Sequence, residues 1–255
     1  MTAPSAIFPD LEDAGVLITG GASGIGAALV AGFAAQKARV AFIDIDRAAG
    51  EALAADLSQS RHKPHFLPAD LSDVTAIRSA VAAAGAALGS IRVVINNAAW
   101  DDRKDLEDLS EEYWQKSQDI NLRPVLFVTQ AALPHMRKAG GGSIINFSSI
   151  AYLLNMGDFP AYTTAKAGII GLTKSLAGRL GRENIRVNAV MPGMVLTERQ
   201  KKLWVSDDAA TAFLDRQALK FSLVAEDMVG PCLYLASDCS RAVSAQTMIV
   251  DGGCM

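Results

Sequence analysis

Two residues four positions apart, Tyr162 and Lys166, could do proton chemistry. On a helix that spacing puts a phenol and an ammonium on one side. A phenol with a pKa near ~10 is a weak base at neutral pH, but a neighbouring ammonium, and a nicotinium ring where one is bound, favours the phenolate. Tyr162 is then a candidate general base for an alcohol, with the Lys166 ammonium lowering its pKa. Ser149 lies thirteen residues upstream, where its hydroxyl can hold the substrate oxygen and the developing alkoxide. Ser148 competes for that role. Neither serine sits in a G-x-S-x-G elbow, so acyl-transfer nucleophiles are excluded.

A second chemical signal is the run Thr19-Gly-Gly-Ala-Ser-Gly-Ile-Gly26. Gly20, Gly24 and Gly26, with Ser23 and Ile25 between them, suit a tight turn, close approach of backbone to a pyrophosphate, and free amides at a helix start. Asp44 follows about 20 residues after the turn, where a carboxylate accepts the ribose hydroxyls and repels a 2′-phosphate. Ile45 follows it rather than a cation, so NAD is expected over NADP. No Gly-Lys-Ser/Thr follows the turn, which excludes a P-loop.

These groups need a scaffold. Short apolar runs at Val16–Thr19, Val40–Ile43, Phe66–Leu67, Val93–Ile95, Ile144–Phe147, Val187–Val190 and Met248–Val250 alternate with helical patterns. The helices are expected at Ile25–Gln36, Ala48–Leu57, Val74–Leu88, Glu111–Lys138, Ala161–Leu180 and Asp227–Ser237. The alternation predicts an α/β fold: one doubly wound, seven-stranded parallel sheet of Rossmann type with helices on both faces, in a single domain. The segment from Met191 to Glu226 shows no strand, and 193–226 is expected to be a substrate lid.

The chain has 255 residues, 50% hydrophobic and 20% charged, with 24 Lys+Arg against 27 Asp+Glu and a formal net charge of −3. It can bury a large core, and it carries no basic footprint for nucleic acid. Met1 to Asp10 holds two prolines and an acid but no basic patch, unlike a signal peptide. Cys232, Cys239 and Cys254 form no C-x-x-C pair. The reading is a cytoplasmic protein with reduced thiols and no membrane partner. His62 and His65 have no matching Cys or carboxylate motif, so no metal is expected.

Together these residues resemble the short-chain dehydrogenase/reductase family over almost the whole chain. The match adds Asp70-Leu71, Asn96-Asn97-Ala98-Ala99, Asn121, Pro192-Gly193 with Thr197, and Asp251-Gly-Gly253, and departs from the family pattern at Ala99 and Ala245, where glycine is usual. The resemblance implies that Asp70 and Leu71 meet the adenine, and that Asn97, with Ala98 and Ala99, supports cofactor and sheet. It further implies that Val195 and Thr197, after Pro192 and Gly193, bind the carboxamide, and that Asn121 helps hold a water linking Lys166 to solvent. Members are commonly homotetramers through two long helices.

Within the family the chain is most similar to bacterial NAD-dependent sugar 1-dehydrogenases of the D-xylose and L-arabinose type, on Asn96–Arg103, Gly141–Phe147 and Thr197–Gln200 with Trp204. The expected reaction is oxidation of an aldose of L-arabinose, D-xylose, D-galactose or L-fucose type at C1 to the lactone. Asp101, Asp102, Asn155 and Arg199 are the expected polar contacts, and Met194 and Trp204 the expected walls, beside Ser149 and Tyr162. Reduction of a keto-deoxy sugar acid or 3-oxoacyl substrate is the alternative reading, and a non-catalytic dinucleotide sensor the remote one.

Overall fold

The computed structural model describes residues 6–198, 200 and 207–255. Its seven strands are β1 Gly15–Thr19, β2 Arg39–Asp44, β3 His65–Pro68, β4 Val93–Asn96, β5 Gly142–Phe147, β6 Ile185–Pro192 and β7 Thr247–Val250. They form one parallel sheet in the order β3-β2-β1-β4-β5-β6-β7. The fold expectation holds. Strand order reverses between β1 and β4, which opens a crevice at their C-terminal ends where such sheets bind ligands.

Both faces of the sheet are apolar because alternate residues of each strand point to opposite sides. Val16, Ile18, Val40 and Phe42 pack with Leu29 and Phe33 of α1 (Gly24–Ala35), Leu53 of α2 (Arg47–Asp56) and Leu233 of a late helix. Leu17, Ala41, Ile43 and Ile144 pack with Val81 of α3 (Val74–Leu88) and with two helices from the middle of the chain. The sheet is thereby buried on both sides.

The expected helix Glu111–Lys138 is in fact two, α4 (Glu111–Asn121) and α5 (Arg123–Lys138), separated at Leu122 with φ −118°. Pro124 is the reason: it has no N–H for the carbonyl four residues back and its ring clashes there, yet it suits the first turn of a new helix. α6 runs Pro160–Leu180 as one helix. The segment after Met191 is not strandless, since β6 continues through Pro192 and Val195 bridges Leu223. It also carries α7 (Asp207–Arg216). The expected helix Asp227–Ser237 resolves into a 3₁₀ turn at Ala225–Met228 and α8 (Val229–Ala236).

Ala245 takes φ +61° while its amide donates to the Val187 carbonyl at 2.8 Å. The left-handed geometry that a glycine would favour is kept by an alanine here, at a cost of about 1–2 kcal/mol. Among the described residues no helix is long and apolar enough to cross a membrane.

Candidate active site

The glycine turn joins β1 to α1 at the crevice. Gly20 and Gly24 have φ +65° and +52°, and a Cβ on Gly26 would lie 1.8 Å from the Gly20 carbonyl oxygen. No side chain other than hydrogen fits there. Ser23 begins α1 without a side-chain capping bond, so the first amides of the helix face the crevice. From below, Asn97 Nδ2 donates to the carbonyls of Thr19 at 3.1 Å and Gly20 at 3.0 Å. Thr19 Oγ1 in turn accepts the amides of Asn97 and Ala98. Asp44 braces the turn from the side, its Oδ2 accepting the Ala22 amide at 2.9 Å and its Oδ1 the Asp46 amide at 3.0 Å. The cradle and the carboxylate fit the pyrophosphate and ribose of a nicotinamide dinucleotide.

Across the crevice, β5 and α6 supply the reactive groups. Ser149 starts a 3₁₀ turn over Ile150–Leu153, its Oγ accepting the Ala151 amide at 3.1 Å. Ser149 and Tyr162 both line the cavity, and the Ser149 hydroxyl is close enough to favour the ionised phenol. Ser148 is buried, and its hydroxyl donates to the Lys166 main-chain carbonyl at 2.7 Å. That bond ties Ser148 to α6 and leaves Ser149 as the serine whose hydroxyl acts on Tyr162. The Lys166 ammonium donates to the Phe147 carbonyl at 2.9 Å and lies 5.5 Å from the centre of the Tyr162 ring.

Electrostatics in this protein without cofactor run against one expectation. Burial pushes the Tyr162 phenol well above its ordinary range and the Asp101 carboxylate pushes it further, while the Ser149 hydroxyl pulls it back. Lys166 is itself pushed down to about 8 by burial, with Asp101 opposing. Desolvation is the largest cause of both shifts. A nicotinamide cation, where one is bound, would add a positive charge that favours the phenolate.

Every residue assigned above to the dinucleotide lines one cavity of about 1160 Å³: Gly20, Ser23, Gly24, Ile25 and Gly26 of the turn, Asp44, Ile45, Asp70, Leu71, Asn97, Ala98, Ala99, Pro192, Gly193, Val195 and Thr197, with Tyr162 and Lys166. Ser149, Asp101 and Met194 line it too. Thr197 has a second task, its Oγ1 accepting the Gln200 amide at 3.3 Å. Asn121 is buried beside the cavity rather than in its wall. Its Oδ1 accepts the Trp100 amide at 2.8 Å and its Nδ2 donates to the Trp100 carbonyl at 2.9 Å, which fixes the loop carrying Asp101.

Two expected substrate contacts do not reach the wall. Asp102 offers its main-chain carbonyl to the Tyr113 hydroxyl at 3.0 Å, and Asn155 is exposed with φ +53°. Arg199 and Trp204 lie outside the described residues. The wall also contains Arg103, Glu198, Gln200, Phe213 and Glu226, which sequence reasoning missed as site residues. Gln200 Nε2 donates to Asp101 Oδ2, joining the loop after β4 to the segment after β6. No spacing rule marks such pairs, because they meet only across the crevice.

Comparison with known proteins agrees with this geometry. A family model described as enoyl-(acyl carrier protein) reductase matches residues 20–255. A relative named "Probable galactose dehydrogenase GalD", from Rhizobium meliloti (strain 1021), is 59% identical over 254 residues, covering 99% of each chain. The D-xylose 1-dehydrogenase of Caulobacter vibrioides (strain NA1000 / CB15N) is 43% identical over 249 residues, covering 98% of each. Among solved structures, one described as a short-chain alcohol dehydrogenase from Sinorhizobium meliloti 1021 superposes with TM-score 0.92 at 28% identity, covering 97% of this chain and 98% of that one. With the glycine cradle, the Ser149, Tyr162 and Lys166 set and relatives over its full described length, this oxidoreductase of a nicotinamide dinucleotide belongs to the short-chain dehydrogenase/reductase family.

Proposed function

We propose that the chain oxidises a neutral aldose at C1 to the lactone, with NAD as cofactor. The observation that carries the substrate class is the cavity lining: Asp101, Glu198 and Glu226 supply carboxylates and Gln200 an amide, with Asp101 the carboxylate that acts on the Tyr162 phenol. Among the described residues the lining cations are Lys166 and Arg103, the latter 3.9 Å from Asp158 and over the Phe159 ring at 5.1 Å. Carboxylates accept hydrogen bonds from sugar hydroxyls and repel a carboxylate or phosphate on a substrate. A keto-deoxy sugar acid or a carrier-bound acyl ketone fits such a wall poorly. The names of the two aldose dehydrogenase relatives point the same way.

Preference for NAD rests on Asp44 and on the position of Arg47. That arginine pairs with Glu51 at 3.4 Å and lines a separate groove beside β3, so it does not greet a 2′-phosphate in the crevice. When bound, the nicotinamide supplies the hydride acceptor. Tyr162 takes the proton of the C1 hydroxyl, Ser149 holds that oxygen, and Lys166 would hold the ribose hydroxyls from the floor of the site. Asp101, tied to Gln200 and to the Asn121-anchored loop, orients a further hydroxyl.

We also propose a cytoplasmic homotetramer through α4, α5 and α6. Trp114 of α4 and Leu126 of α5 are apolar groups left 41% and 39% exposed, and a partner would cover them. Sedimentation velocity showing a monomer would refute it.

The deciding test of the reaction is initial rates of reduced-cofactor formation with a panel of aldoses, polyols and secondary alcohols, with NAD+ and NADP+ in parallel. NAD+-dependent turnover of a pentose or a galactose-like sugar is the expected result. Silence on every aldose, with NADH-dependent reduction of an oxo acid or acyl ketone, would keep the fold and discard the substrate.

A further inference from the structure

The end of β5 grips α6 at two consecutive residues. The Phe147 carbonyl takes the Lys166 ammonium at 2.9 Å, and the Ser148 hydroxyl reaches the Lys166 main-chain carbonyl at 2.7 Å. Ser148 and Lys166 are 3% and 2% exposed, so no water competes for that bond. On its other side Ser148 is fastened to the sheet, its amide donating to the Val190 carbonyl of β6 at 2.9 Å.

Lys166 is thus held at both ends by adjacent residues of one strand terminus. A helical carbonyl has two lone pairs, and the helix ladder uses one, which leaves the second for Ser148. This directed bond matters because, besides Ala161 and Ala165, the group that the first turns of α6 bury is Lys166 itself. Its long flexible side chain does not fix the height of the helix as a ridge packed into a groove would.

We infer that Ser148 is a positioning residue for the reaction: through its hydrogen bond to the Lys166 carbonyl it sets the depth at which α6 lies against the end of β5. That depth fixes the Lys166 ammonium on Phe147 and, with it, its 5.5 Å distance from the Tyr162 ring. Ser148 does not act on substrate. The inference rests on the assignment of Tyr162 and Lys166 as the acting pair.

The test compares full-length Ser148→Ala and Ser148→Thr with wild type, with Ser148→Cys, which keeps the shape and only a weak donor, standing in if the alanine variant does not fold. Three quantities are read: thermal midpoint, NADH affinity by fluorescence titration, and kcat and KM for the best aldose. Because a displacement of about 1 Å can cost up to ~100-fold, Ser148→Ala is expected to lose about tenfold or more in kcat and several-fold in NADH affinity, with KM for the sugar within about twofold. Ser148→Thr, which keeps the donor, should recover most of the kcat. An alanine variant with wild-type kcat and NADH affinity, or a kcat loss that threonine does not recover, overturns the inference. If wild type itself turns over no aldose, the substrate reading fails separately, and NADH affinity alone decides on Ser148: unchanged in the alanine variant, it refutes the role.

Discussion

The Lys166 ammonium lies 5.5 Å from the centre of the Tyr162 ring and is anchored there by the Phe147 carbonyl at 2.9 Å. A strand end and a helix therefore share one charge, and the phenol stands above it on the cavity side. The arrangement keeps a cation near the phenol while the Phe147 carbonyl takes its hydrogen bond.

Replacing Tyr162 with Phe removes the proton acceptor and leaves the ring. General-base loss typically costs ~10²–10⁴-fold, so kcat should fall by that order while NADH still binds. Initial rates and a fluorescence titration check both halves, and retained turnover in Tyr162→Phe would refute the assignment.

A pH dependence of stability follows from Lys166, whose pKa falls from 10.5 to about 8 in the folded protein without cofactor, chiefly through burial. Below about pH 8 folded and unfolded chains both carry the charge, and the folded one bears the desolvation cost. Between about 8 and 10.5 the unfolded chain binds more protons, so this group makes the protein more stable as pH rises through that window. Thermal midpoints of wild type and Lys166→Met should then favour the methionine variant most near pH 7, with the advantage shrinking toward pH 10. A pH-independent difference would show that Lys166 titrates alike in both states.

Asp44 carries the cofactor preference proposed above. A hydrogen bond to a charged group is worth about 1.5–3 kcal/mol, so Asp44→Ala should weaken NAD by about tenfold or more and NADP much less. Since Asp44 also holds the Ala22 amide, some thermal stability should be lost too. The ratio of the two affinities is the readout, and an unchanged ratio excludes the role.

Two glycines make opposite predictions. Gly26→Ala drives a methyl group into the Gly20 carbonyl and should abolish measurable dinucleotide binding. Gly178, in α6, has nothing within 4 Å of its missing Cβ, so Gly178→Ala should stabilise the protein by about 0.5–1 kcal/mol through helix propensity. Calorimetry on the second variant and titration on the first separate a steric requirement from mere backbone freedom.

Local chemistry is what the sequence determined by itself. Strand and helix alternation, the glycine turn, Asp44 and the Tyr162/Lys166 spacing are all written in neighbouring residues, because steric freedom and side-chain period act over a few positions. The same locality explains the misjudged helix. Apolar spacing runs on across Leu122, and only the ring of Pro124 forces a break there.

Tertiary structure decided what spacing does not encode. Ser148 and Ser149 are adjacent and chemically identical, yet just past the end of β5 the first is tied to the Lys166 carbonyl and the second starts a 3₁₀ turn beside Tyr162. Asp101 reaches the cavity while Asp102 does not, because Asn121 clamps Trp100 from a helix twenty-one residues away and Gln200 arrives from the far wall. The direction of the Tyr162 shift is decided in the same way: desolvation depends on how many elements close over the ring, a property of the packed molecule and of no short stretch of chain.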